Sequence, residues 1–158
     1  AGRRADLYRD LNNSTLMVKI KITTTTGGDL GATDKVGPVN LTLHSLFSNA
    51  SVTLCGKEIS EKDTLYPYRA YLETLLTYNP NVLRTRMVAE GWAKDDATAM
   101  DKILLVDAAA DNKANTGFVA RTKSISASAT WVLQGRPHVD LFHEALFRPC
   151  RFLGVGAS

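Results

Sequence analysis

The sequence has too few cysteines for a disulfide framework, because Cys55 and Cys150 are the only two and no C-x-x-C pair occurs. It also lacks a secretion signal and an apolar run long enough to span a membrane. Phosphate-loop, zinc-protease, nucleophile-elbow and dinucleotide-binding motifs are missing as well. These absences exclude a disulfide-rich secreted scaffold and leave no motif for the commonest enzyme classes. The opening residues, AGRRADLYRD, indicate a segment excised from a longer reading frame.

A strong charge of one sign is also missing, since the net charge of the 158 residues is only +3. The basic residues are scattered, and the pair that would share one face of a predicted strand is Arg121 and Lys123. One hypothesis is that such pairs bind nucleic acid. With so small a net charge, the better interpretation is that they lie on solvent-exposed faces. The apolar fraction of 44% is sufficient for the core of one domain.

The sequence does have alternating apolar and polar residues, which is the pattern of half-buried strands. In residues 14–23, Leu16, Val18 and Ile20 fall on one face, and Met17 and Lys19 on the other. A long glycine-rich loop is predicted to follow over 23–38. Further strands are predicted over 39–47, 117–124, 124–135 and 138–142, with a hairpin over 51–60 that turns at residues 55–56. Antiparallel strands with one helical interruption indicate a β-sandwich.

The helical interruption is LYPYRAYLETLLTYNP, residues 65–80. Pro67 suits the first turn of a helix, and Pro80 predicts its end. An apolar stripe at helical spacing is expected to pack on the sandwich, and it contains Tyr68, Tyr71, Leu72, Leu75 and Leu76. Tyr66 and Tyr78 lie off this stripe. In the simpler interpretation, Tyr68 and Tyr71 cap one open end of the sandwich with their hydroxyls at its rim. In the functional interpretation, Tyr66 and Tyr78 also contact another subunit, where tyrosine is enriched.

Chemistry could come from His138, Asp140 and His143, which offer two imidazoles and a carboxylate. On one strand His138 and Asp140 share a face while His143 points away, so a solvated polar face is the simpler interpretation. Cys55 in a surface turn would need a neighbouring histidine to act as a nucleophile, and Cys150 belongs to no motif. We therefore predict no catalytic residue, no metal site and no cofactor.

Several blocks occur in one order along the chain: DLYRDLNNSTLMVKIKI, VGPVNLTLHSLFSNASVTLCGKEIS, TLYPYRAYLETLLTY, NTGFVARTKSISAS and GRPHVDLF. This run, over residues 6 to 143, closely resembles the N-terminal part of the major capsid proteins of Polinton/Maverick-type elements and adintoviruses. The resemblance implies a jelly-roll β-sandwich that is one half of a double jelly roll. It also implies trimeric capsomers that tile a shell around double-stranded DNA, with no catalysis and no cofactor.

The expected protein is thus a virion component that is assembled inside the host cell. Its partners would be further copies of itself and other capsid proteins, with viral DNA contacted only indirectly and no membrane. Residues 1–143 would be the jelly-roll domain, and residues 144–158 a divergent tail. The strand count falls short of the eight of a complete jelly roll, so the sheet is expected to be incomplete. The alternatives are a stand-alone jelly-roll module that binds a ligand for a host, and a metalloenzyme using His138 and Asp140.

Overall fold

A computed structural model describes residues 13–31, 34, 36–54, 57–59, 64–100 and 114–139. The strands in these residues are β1 (Leu16–Ile20), β2 (Thr53–Leu54), β3 (Lys57–Glu58) and β4 (Trp131–Gly135). The helices are α1 (Thr42–Ser45), α2 (Tyr66–Thr77), α3 (Pro80–Thr85) and α4 (Thr116–Ile125), with two 3₁₀ helices at Met87–Glu90 and Ser126–Ser128.

The strands form two separate antiparallel pairs. Strand β1 pairs with β4, so that Val18 lies opposite Leu133, and β2 pairs with β3 in a short hairpin. The predicted alternation in β1 is confirmed. Met17 and Lys19 are exposed, whereas Leu16, Val18 and Ile20 are half-buried. The predicted hairpin is confirmed in its two strands, whereas its turn at residues 55–56 lies outside the described residues.

The prediction of a mainly β jelly-roll sandwich is wrong. Among the described residues the β structure consists of two two-stranded sheets, and helical residues outnumber strand residues. A jelly roll needs two larger sheets facing one another, and these two pairs do not form them. The division into a domain over residues 1–143 and a tail over 144–158 stays a prediction, because its boundary lies outside the described residues.

The first misassigned segment is the predicted strand over 39–47. Leu41 adopts a left-handed backbone conformation, with φ 55° and ψ 51°, and α1 begins directly after it. The backbone N–H of Leu41 donates a hydrogen bond to the Gly91 carbonyl at 3.2 Å. A hydrogen bond to a residue far along the chain thus accompanies this rarely populated backbone conformation. Four consecutive residues, from Leu41 to His44, are buried, which an alternating strand could not achieve.

The second misassigned segment is the predicted strand over 117–124, which is helix α4. Asn115 caps this helix, since its side-chain oxygen accepts a hydrogen bond from the Phe118 N–H at 3.2 Å. Strand β4 starts only at Trp131, because Ala127 and Ser128 take positive φ and interrupt the extended chain. His138 and Val139 lie outside any strand, and residues 140–142 of the predicted last strand lie outside the described residues.

Helix α2 has the predicted ends, but it buries a different face from the one predicted. Pro67 lies in its first turn, and the helix stops at Thr77, before Pro80 begins α3. The side chains turned inward are Tyr66, Ala70 and Thr74. Most of the predicted apolar stripe is instead exposed: Tyr68, Leu72, Leu75 and Leu76.

The apolar core is divided into two clusters around α2. One consists of Leu41, Ala70, Met87 and Trp92. The other joins Tyr66 and Val139, with Phe47, Ala50 and Val52 packed against them. Between the elements that carry these clusters lies a group of buried polar side chains, which forms the candidate site.

Candidate functional site

Four distant segments bring ionisable side chains together inside the protein. His44 comes from α1, Tyr66 from α2, Glu90 from the 3₁₀ helix Met87–Glu90, and His138 from the segment after β4. All four are buried, with relative exposures of 0%, 7%, 4% and 3%. Buried polar groups are costly unless they bond to one another, so their partners decide what this cluster can do. We call these four residues, with Glu73, the histidine–glutamate cluster.

Both ring nitrogens of His44 have partners. Nδ1 lies 2.9 Å from the Tyr66 hydroxyl, and Nε2 lies 3.0 Å from the Glu90 carboxylate. An ionised carboxylate can only accept, so Nε2 carries the hydrogen and donates to Glu90. With a neutral ring, Nδ1 then accepts a hydrogen bond from the Tyr66 hydroxyl. The result is a chain from phenol to imidazole to carboxylate that is satisfied at each step.

His138 is held against the same tyrosine by its backbone and against Glu73 by its ring. Its N–H donates to the Tyr66 hydroxyl oxygen at 3.3 Å, and its Nδ1 lies 2.8 Å from Glu73 Oε2. Its Nε2 lies 3.4 Å from the Thr74 hydroxyl, which itself donates to the Ala70 carbonyl at 2.7 Å. On the outer side, Arg69 Nε donates to the second oxygen of Glu73 at 2.7 Å.

The surroundings shift the pKa values of three groups in the cluster. Burial lowers the pKa of His138 below its ordinary 6.5, against the opposing effect of Glu73. Burial would raise the pKa of Glu73, but hydrogen bonds from Arg69 and His138 outweigh it and lower that pKa below 4.5. Burial raises the pKa of Tyr66. Near neutral pH the ring of His138 and the phenol of Tyr66 are therefore uncharged, whereas Glu73 is ionised.

The Tyr66 hydroxyl is not available to an external substrate. The Tyr66 hydroxyl is protonated, buried and engaged on both sides, so it cannot approach a substrate as a nucleophile or base. The cluster does have the residues of a metal site, because His44, Glu90 and His138 can each present one ligand atom within 4.8 Å of the others. The cluster is therefore either a structural tie between distant segments or a metal centre.

A second buried polar group surrounds Arg121, for which a solvated face was the expectation. Its guanidinium donates to the carbonyls of Pro38 and Ala93 at 3.0 and 2.9 Å, and to the Asp95 carboxylate at 2.9 Å. Only 5% of its side chain is exposed. The expectation is wrong for Arg121, since α4 is a helix that turns this residue inward, while its predicted companion Lys123 is exposed.

An apolar cleft opens beside the core. It has a volume of about 500 Å³, and its lining includes Tyr71 and Trp92, whose ring centroids lie 5.7 Å apart at an angle of 37°. Arg84 and Lys94 provide positive charge at this cleft. Its composition, aromatic with a few polar groups, is typical of small-ligand sites.

The two candidate subunit contacts lie in different surroundings. Tyr66 is buried inside the chain within the histidine–glutamate cluster, where its hydroxyl is used twice. Tyr78 is half-buried and packs against the cluster of Leu41 and its neighbours. A contact of either residue with another subunit stays a prediction. The exposed apolar residues of α2 are instead Tyr68, Leu72, Leu75 and Leu76.

Of the three residues that were weighed as metal ligands in the sequence and set aside, the structure describes only His138, because Asp140 and His143 lie outside the described residues. Cys55 and Cys150 lie outside them too. Sequence reasoning missed His44, Glu73 and Glu90 as members of a cluster. His44 and Glu73 lie in LTLHSLF and YPYRAYLE, two of the blocks on which the family resemblance rests, and that membership could have drawn attention to them. Glu90 lies in no such block, so the sequence offered no signal for it.

Comparisons with protein-family models, curated proteins and solved structures found no match for this chain. None of the helices in the described residues combines the length and apolar character needed to cross a membrane.

Proposed function

We propose that this chain is part of a structural, self-associating capsid subunit, of the kind found in Polinton/Maverick-type elements and adintoviruses. The proposal includes a trimeric capsomer, other capsid proteins as further partners, and viral double-stranded DNA that is enclosed without direct recognition. The subunit would be assembled inside the host cell and end in the virion.

One observation carries the proposal: the blocks on which the resemblance rests meet at one buried cluster. His44 belongs to VNLTLHSLFS, Tyr66 to YPYRAYLE, and His138 to GRPHVDLF. Their side chains and backbone bond directly to one another through the Tyr66 hydroxyl, at 2.9 and 3.3 Å. These contacts support the view that the three blocks belong to one structural unit, as expected for blocks that share one capsid domain.

The outer face of α2 supports self-association. Leu72 and Leu76 are 57% and 86% exposed, four residues apart on the same helix, with Tyr68 and Leu75 beside them. Contiguous exposed apolar residues of this kind mark interaction surfaces in proteins. Contact of this face with another copy would remove it from water.

The experiment is to express the whole reading frame in which this sequence lies in its source and to follow its assembly. We expect trimers by analytical ultracentrifugation and shells or capsomers by electron microscopy. The double variant L72K/L76K should abolish assembly while the circular dichroism spectrum stays unchanged, because both side chains are exposed. The exposed Thr77→Lys on the same helix is the control for added charge. If L72K/L76K assembles to the same extent as Thr77→Lys, the proposal that this face of α2 is the interface between copies is wrong.

The genomic neighbourhood tests the same proposal independently. A reading frame that continues downstream, beside genes for a packaging ATPase or a protease, is expected for a capsid subunit. A stop codon directly after Ser158, followed by ordinary host sequence, would contradict it.

A second function, binding of a small ligand by a chain that a host has adopted, is favoured by the cleft beside Tyr71 and Trp92. An amphipathic ligand with an aromatic or sugar ring could stack there. Titration with sugars and short peptides, followed by Trp fluorescence, should show saturable binding by the monomer. Binding should be lost in Tyr71→Ala and kept in the exposed Tyr68→Ala. A fluorescence signal that none of these ligands changes would remove this function.

A further inference from the structure

The histidine–glutamate cluster has the parts of a metal centre. We propose that His44, Glu90 and His138 bind one divalent transition-metal ion, with Zn²⁺ the best fit. The proposal goes beyond the capsid function and does not depend on it.

The three side chains provide donor atoms of the kind that Zn²⁺ binds. Two imidazoles and one carboxylate are a common protein donor set for Zn²⁺. The three side chains are buried, and their ligand atoms can lie within 4.8 Å of one another. A tetrahedral ion with bonds of about 2.0–2.1 Å places its ligand atoms roughly 3.3 Å apart. His44 Nε2 and Glu90 Oε2, at 3.0 Å, are already close to that separation.

The outer contacts of the two rings have the arrangement that metal-bound histidines require. Metal-ligating histidines usually donate the other ring N–H to a carboxylate, a backbone carbonyl or a water, which fixes the ring, and a tyrosine oxygen can accept the same hydrogen bond. His138 has the Glu73 carboxylate at Nδ1, at 2.8 Å, and His44 has the Tyr66 hydroxyl at Nδ1, at 2.9 Å. The Nε2 atom of each ring is then the one directed to the ion.

Binding requires a change of tautomer at His44 and the loss of its hydrogen bond to Glu90, which the two bonds to the ion replace. The hydrogen on Nε2 moves to Nδ1, which then donates to the Tyr66 oxygen, while the phenol hydrogen turns away and the ring stays neutral. The ion's two positive charges are offset by Glu90, which would ligate it directly, and in part by Glu73 behind His138, whose charge is shared with Arg69. Each of the three ligands comes from a different segment of the chain, so the ion would cross-link α1, the 3₁₀ helix Met87–Glu90 and the segment after β4.

The test uses the full chain with Cys55→Ser and Cys150→Ser, so that thiols cannot bind the metal. After chelator treatment, calorimetric titration with Zn²⁺ should give one site per chain and raise the unfolding temperature. Co²⁺ in place of Zn²⁺ should give visible absorption bands without the near-ultraviolet thiolate band. A cysteine-free chain that binds neither ion at a ratio of one would overturn the proposal.

Variants locate the site. His138→Ala and Glu90→Gln should each abolish tight binding, and His143→Ala, the matched histidine control, should not change it. Glu73→Gln keeps all three ligands and should weaken Zn²⁺ binding about 10- to 100-fold, as loss of an outer carboxylate does. This variant decides the matter if His138→Ala fails to fold. Unchanged Zn²⁺ affinity in folded Glu73→Gln, or lost affinity in His143→Ala, would overturn the assignment. Capsomer formation is measured separately, so failure of either proposal leaves the other standing.

Discussion

His44 and His138 stand edge to face inside the protein, with ring centroids 4.6 Å apart and ring planes at 85°. One lies in α1 and the other follows β4, so their contact joins an early segment to a late one. The Tyr66 hydroxyl bonds to both residues and locks the pair against α2. The stability of the protein should therefore respond to changes at this pair.

Acid should destabilise the metal-free protein through His138. Its folded-state pKa lies below 6.5, so between the two values the unfolded chain binds a proton that the folded chain does not. This contribution to stability is complete above the unfolded pKa and declines as pH falls toward the folded pKa. Glu73, His44 and Glu90 face the ring, and the burial effect outweighs the carboxylates. Urea unfolding at about pH 7.5 and about pH 5.5 should show the loss.

The control for this pH dependence is His138→Gln, which keeps a polar side chain and cannot titrate. Its loss of stability over the same interval should be smaller than that of the parent chain. Equal slopes for the two proteins would show that His138 does not carry the effect.

Removal of the Glu90 carboxylate should destabilise the fold by about 1–3 kcal/mol, because Glu90→Ala leaves the buried Nε2–H of His44 unpaired. Glu90→Gln should recover most of this loss, since an amide oxygen can accept the same hydrogen bond. Chemical denaturation measures both variants. The exposed Thr77→Ala is the surface control and should change stability by less than about 0.5 kcal/mol. A loss in Glu90→Ala no larger than in this control would contradict the network.

Loss of Arg121 should cost about 3–5 kcal/mol, because Arg121→Met leaves the nearby Asp95 carboxylate without its cation in a largely buried position. The Pro38 carbonyl loses this donor as well, whereas the Ala93 carbonyl keeps the hydrogen bond from Asn40 Nδ2 at 2.9 Å. Lys123→Met, on the exposed part of the same helix, is the matched control. Thermal unfolding of the two variants should differ by many degrees, and similar values would show that the Arg121 cluster contributes little.

Gly117 should not tolerate a side chain. A Cβ atom there would lie 2.4 Å from the Lys94 carbonyl oxygen, which belongs to the backbone and cannot move aside. Gly117→Ala should therefore destabilise the protein by roughly 1–3 kcal/mol, as overpacking does. At Gly31 an added Cβ meets only ordinary contacts at 3.5 Å, so Gly31→Ala is the control. Equal denaturant midpoints for the two variants would mean that α4 does not approach Lys94 so closely.

The sequence by itself determined the elements whose signals are local. The alternation in β1 and the proline positions around α2 correctly predicted a strand and the ends of a helix. These signals are reliable because proline constrains its own and its neighbour's backbone, and a strand with one wet face must alternate.

Only the tertiary structure decided which faces are buried and which side chains meet. The apolar stripe of α2 that was predicted to face the core is exposed. The opposite face is buried instead, because the small side chains of Ala70 and Thr74 allow close packing and the Tyr66 hydroxyl bonds to buried His44. Residues 117–124 alternate acceptably for a strand, yet the Asn115 cap and the ion pair of Arg121 favour a helix. The site depends on complementary groups from distant segments, His44 with Glu90 and His138 with Glu73. Periodicity within one segment carries no information about such pairs, because their energy exists only once both partners are buried together.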